Sequence, residues 1–143
     1  MHQSEPKEII IAHGHESVTS THATTLEITK ETHLTREGNC IIAVGADKAI
    51  DDLSSQFKNA LRKNDSKLAI LIEAGQIKET INAHGGPHLI LEHPTDLVVR
   101  KSGYVSNRTL AIQANKAANG LSRELVSKLK NPKQTVKITL TVC

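Results

Sequence analysis

Three histidines, His13, His15 and His22, fall within ten positions in "IAHGHESVTSTHATT". Imidazoles bind metals, shuttle protons and accept hydrogen bonds, so their spacing decides which chemistry is in reach. His13-x-His15 would place two rings on one strand face, which is how a zinc site can begin. No tight set of cysteines and histidines completes the ligand count, and no metal is expected. His22 stands two residues before Thr24, and the same spacing recurs at His93 and Thr95. Such a pair can line a polar pocket. The plainer alternative is an imidazole satisfied by its neighbouring threonine or a backbone group.

"GADKA" and "QANKA" form a second candidate, with Asp47-Lys48 and Asn115-Lys116 at the start of a helical turn. Asp and Asn cap helix starts, whereas a lysine in the first turn opposes the helix dipole. Exposed N–H groups together with Lys48 and Lys116 could hold an anion; the alternative is a simple cap with the lysine in water. Serines and threonines lie in no nucleophile-elbow pattern. Cys40 begins an apolar run and is expected to pack. Asp51 and Asp52 are adjacent, so on a helical turn they point apart. No residue set identifies a reaction, and neither catalytic residues nor cofactors can be assigned.

The elements that position these residues come in duplicate. "KEIIIAHGHESVTSTHATTLEITK" (7–30) aligns without a gap on "KETINAHGGPHLILEHPTDLVVRK" (78–101), matching at 10 of 24 positions. "AVGADKAIDDLSSQFKNALRKNDSKLAILIEA" (43–74) aligns on 111–142, matching at 8 of 32. Ordinary composition would match roughly 6% by chance. The chain therefore reads as one domain, 1–143, with an internal tandem repeat of 7–74 and 78–142. His15 is replaced by Gly86 in the second copy.

Each copy predicts four strands and one helix. Strands are expected at "KEIIIAH" and "IKETINAH", over 18–29 and 89–100, at "CIIAVGA" and "TLAIQA", and at "KLAILIE" and "TVKITLTV". Ser54 and Ser122 should cap helices running to about Lys63 and Lys130. If 18–29 and 89–100 are long strands, His22, Thr24, His93 and Thr95 share their more apolar faces. The two pairs could then meet near a pseudo-twofold axis. The expected fold is α+β and mostly antiparallel, an eight-stranded barrel or sandwich with two helices, built from two pseudo-twofold-related halves.

Composition narrows the functions. The net charge is +3, and Phe57 and Tyr104 are the only aromatics. Two scattered rings make no stacking platform for bases, and the lysine run Lys128, Lys130, Lys133 and Lys137 reads as a solvated helix end. Nucleic acid is thus an unfavoured partner. Apolar runs such as "LAILI" are too short to span a bilayer. The polar N-terminus and the unpaired cysteines fit a cytoplasmic protein.

"HATTLEITK", "LTREGNCIIAVGADKA", "HPTDLVVRKSGYVSNRTLAI" and "LSRELV" together resemble an archaeal domain-of-unknown-function family, number 371 in its series, over nearly the whole chain. The family often has Asp where this chain has Asn39. The resemblance implies a small archaeal protein and carries no established activity. The residues point to a small-ligand or anion-binding domain, with His22, Thr24, His93, Thr95, Lys48 and Lys116 as candidate contacts. A nucleic-acid module or an assembly protein that binds through a strand edge are the alternatives, and self-association is compatible with the pattern.

Overall fold

A computed structural model describes residues 5–143. Its strands are β1 (Lys7–His13), β2 (Thr25–Thr29), β3 (Ile41–Ala43), β4 (Lys67–Ala74), β5 (Ile77–His84), β6 (Asp96–Arg100), β7 (Thr109–Ala111) and β8 (Thr135–Val142). Helix α1 (Ser55–Leu61) lies between β3 and β4, and α2 (Arg123–Leu129) between β7 and β8. A single 3-10 turn precedes each helix, at Ile50–Asp52 and Ala118–Gly120.

The strands form two four-stranded sheets, β1-β8-β4-β5 and β3-β2-β6-β7. The first is antiparallel throughout. In the second, β2 and β6 are antiparallel, while β3 and β7 join their neighbours in parallel. Isolated bridges, His13 with Val44 and His84 with Ile112, link the edges of the two sheets without closing them. Of the two expected architectures, this is the sandwich rather than the barrel.

Alternation explains the layers. Leu68, Ile70, Ile72 and Ala74 of β4 face inward, as do Val136, Ile138, Leu140 and Val142 of β8. From the other sheet Leu26, Ile28, Leu97 and Val99 meet them in one aliphatic core. Phe57 is the core's one aromatic, 1% exposed. Ser54 and Ser122 cap the helices as expected, each hydroxyl accepting from the N–H three residues on, Phe57 and Leu125, at 3.1 Å. Phe57 and Leu61 of α1, and Leu125, Val126 and Leu129 of α2, are the buried stripes.

The long strands over 18–29 and 89–100 are not formed. Only 25–29 and 96–100 pair. Ser20 and Leu91, which the gap-free alignment of 7–30 on 78–101 pairs, adopt left-handed backbone, φ +52° and +57°. That conformation breaks the strand period before His22 and His93. The shared face expected for Val18, Ser20, His22, Thr24, Leu26 and Ile28 therefore reduces to Leu26 and Ile28.

Candidate functional site

The six residues singled out by the sequence are held in structural contacts. His22 is half-buried, and its Nδ1 accepts from the N–H of Thr24 at 3.2 Å and of Thr25 at 3.1 Å. His93 does the same with Thr95 at 3.3 Å and Asp96 at 3.0 Å. In each neutral ring the proton therefore sits on Nε2. Each imidazole starts the strand that follows it. The hydroxyls of Thr24 and Thr95 lie 3.5 Å from the same Nδ1 atoms.

These histidines do not meet. In the antiparallel β2–β6 pair, Thr25 lies opposite Arg100 and Asp96 opposite Thr29. His22 precedes one end of the pair and His93 the other. A five-residue strand spans roughly 14 Å, so no pocket is shared. Instead each backbone carbonyl reaches across: His22 O accepts from Asn119 N, and His93 O from Asp51 N, both at 3.0 Å.

Lys48 and Lys116 are paired, to Glu8 at 2.9 Å and to Glu79 at 3.0 Å. The second oxygen of Glu8 accepts from Ser54 N at 2.7 Å, and Glu79 likewise from Ser122 N at 2.9 Å. Burial opposes ionisation of both carboxyls, but the serine N–H and the lysine outweigh it and hold them below the usual range. Asp47 and Asn115 accept from Ile11 N and Asn82 N on the edge strands β1 and β5. The Asp/Asn-Lys turns thus staple sheet edge to helix start, and a neutralised lysine is a poor anion ligand. His13 is exposed at its sheet edge, and His15 accepts from Ser17 N at 3.0 Å. Among the described residues, no group of three His, Cys, Asp or Glu side chains could hold a metal ion.

Two places the sequence reading missed carry unspent chemistry. The first is the outer face of the β2–β6 pair. Glu27 is 5% exposed there and Asp96 8%. Both bond Arg108, whose buried Nε has no partner among the described residues. Thr29 donates to Asp96 at 2.8 Å. Burial pushes the Glu27 carboxyl up, the Asp96 charge adds to this, and Arg108 does not cancel it. Burial and the Glu27 charge also raise the Cys40 thiol, which argues against a thiolate nucleophile. The signal for this cluster was one acid inside the apolar "TLEIT".

The second is a cleft of about 460 Å³. Asn64 and Asp65 wall it from the α1–β4 connection, His84 to Leu89 from the chain leaving β5, and Val105, Ile112 and Gln113 from either side of β7. Asn64, Asp65, His84, His88 and Gln113 are exposed, and their side chains make no hydrogen bond to another described residue. Gly86 N donates to Leu61 O at 2.9 Å, as the N–H of the aligned residue, His15, does to Leu129 O. The backbone matches, but Gly86 carries no ring, and a Cβ on it would meet nothing within 4 Å. Gln113 has φ +53°, and the residue aligned with it, Gly45, has φ +60°. A wider groove of about 900 Å³ adjoins the cleft through Asn64 and Asp65, between Glu5 and Pro6 and the polar side of α1.

The fold is a two-sheet α+β sandwich with a cleft on one side. The chain belongs to the family described as a domain of unknown function, DUF371, whose model matches residues 10–143. It is similar to the uncharacterized protein MJ0206 of Methanocaldococcus jannaschii, 52% identical over 128 residues, which cover 90% of this chain and 94% of that protein.

Proposed function

We propose that this protein is a small-ligand-binding domain and that the cleft beside Gly86 is its site. The observation that carries the reading is Gln113. A left-handed backbone costs a non-glycine residue about 1–2 kcal/mol, and the first copy avoids that cost with Gly45. Backbone strain of this kind concentrates at functional sites. The volume, the apolar floor of Leu89, Val105 and Ile112, and a few polar groups without protein partners are what small-molecule sites are made of. Among the described residues, no helix is long and apolar enough to cross a membrane.

The repeated order of elements supports a tandem duplication of 7–74 and 78–142 within one domain. On that reading the cleft arose in one copy only, through the replacements at Gly86 and Gln113. The free thiols Cys40 and Cys143 support a reducing, cytoplasmic setting.

Gln113→Gly tests the assignment. Relief of strain, less the entropy glycine adds to the unfolded chain, should raise stability by up to about 1 kcal/mol. Ligands found by screening amide chemical shifts of the whole chain should bind the variant at least ten-fold more weakly. If the variant is more stable and binds them equally well, Gln113 is no ligand contact. If no small molecule perturbs the cleft amides, the site is wrong.

A further inference from the structure

Resting on that reading, we infer that the cleft selects an uncharged or cationic ligand presenting a planar N–C–N edge with N–H donors, the chemistry shared by amidines, guanidines and amino-substituted nucleobases. The charge on the walls decides the sign. Among the described residues, Asp65 is the only Asp, Glu, Lys or Arg lining the cleft. An anion entering would lose hydration and face the Asp65 carboxylate with no Lys or Arg in the lining to offset it, so phosphates and carboxylates are disfavoured.

The hydrogen-bonding inventory decides the shape. A carboxylate accepts only, and matches two parallel N–H donors in one plane. The carboxamides of Asn64 and Gln113 each donate and accept, as needed to read the edge of a flat nitrogen heterocycle. His84 and His88 make no side-chain hydrogen bond to another described residue and offer flat faces and a ring nitrogen to such a ligand. Asp65 itself has φ +59°, where Asp and Asn are the side chains most easily tolerated. Asp65→Asn therefore removes the charge while keeping the fold.

The test is titration of the full chain, followed by amide shifts and calorimetry, with benzamidine, guanosine, inorganic phosphate and indole as probes. Benzamidine or guanosine should perturb the amides of Gly86, Leu89 and Gln113, and phosphate should not. If benzamidine binds, Asp65→Asn should weaken it at least ten-fold. Tighter benzamidine assigns the edge to an amidine or guanidine, and tighter guanosine to a nucleobase. Phosphate binding at the same amides overturns the inference, as does benzamidine binding unchanged by Asp65→Asn. If indole alone binds, the ligand class is wrong and the cleft assignment stands. If none of the four binds there, the inference falls, and the cleft assignment then rests on the wider screen.

Discussion

Glu27 and Val98 lie opposite each other across β2 and β6, and they are also the two positions the sequence repeat aligns. In the first sheet Leu71 and Thr139, likewise aligned by the repeat, face each other across β4 and β8. A carboxylate thus stands on one side of the Glu27–Val98 pair, with an apolar valine opposite it. Its pH dependence follows from burial. The Glu27 pKa is raised above the ordinary 4.5. Its contribution to stability is fully present below 4.5 and is lost as pH rises through the folded value. Glu27→Gln, which mimics the protonated form, should therefore gain stability relative to the natural chain from pH 4 to pH 8. Thermal melts across that range check the sign, and a gap that narrows with rising pH would contradict it.

Glu8 and Glu79 have the opposite sign. Their carboxyls are lowered below 4.5, so the stability they contribute is present above 4.5 and lost as pH falls through the folded values. Each also bonds a helix-start N–H and a lysine. Glu8→Ala or Glu79→Ala should cost about 1.5–3 kcal/mol at neutral pH, the worth of a hydrogen bond to a charged group. Urea unfolding at pH 7 and pH 3 should show the penalty shrinking in acid.

His22→Ala and His93→Ala each remove one acceptor from two backbone N–H groups. A loss of about 1–2 kcal/mol per variant is expected, with probe binding at the cleft unchanged. If either variant stays folded yet no longer binds, the ends of the β2–β6 pair hold the site instead.

Much of the architecture was legible in the residues. Alternation in "KLAILIEA" and "TVKITLTV" marks β4 and β8 as half-inward strands, and Ser54 and Ser122 announce their helices. Val18 to Thr24 misled because β-branched residues favour strand, while the left-handed turn at Ser20 is set by tertiary contact: its buried hydroxyl donates to Ala118 O at 2.6 Å. Parallel pairing of β3 and β7 leaves no local pattern, since it depends on where a connection returns. Lys48 and Lys116 looked available because their partners, Glu8 and Glu79, lie 40 and 37 positions away. The cleft had a sequence trace in the change from His15 to Gly86. Its meaning needed the backbone around it.

Strand order makes the two halves of the chain interdependent. The first sheet, β1-β8-β4-β5, alternates strands from the first and second halves of the sequence. Fragments 5–75 and 76–143 should each be unfolded or self-paired when alone, and should regain the native circular dichroism when mixed. A monomeric, cooperatively folded single fragment would show that the interleaving is dispensable.

That same order bears on synthesis. β8 is translated after the other seven strands, yet it belongs between β1 and β4. While the ribosome makes this chain, the gap it will fill stays open, with the unpaired backbone N–H and C=O groups of β1 and β4 facing it. Folding of the first sheet must therefore wait until β8 has cleared the exit tunnel. Until then the nascent chain presents an unfilled seam of the kind that invites misassembly with a neighbouring copy.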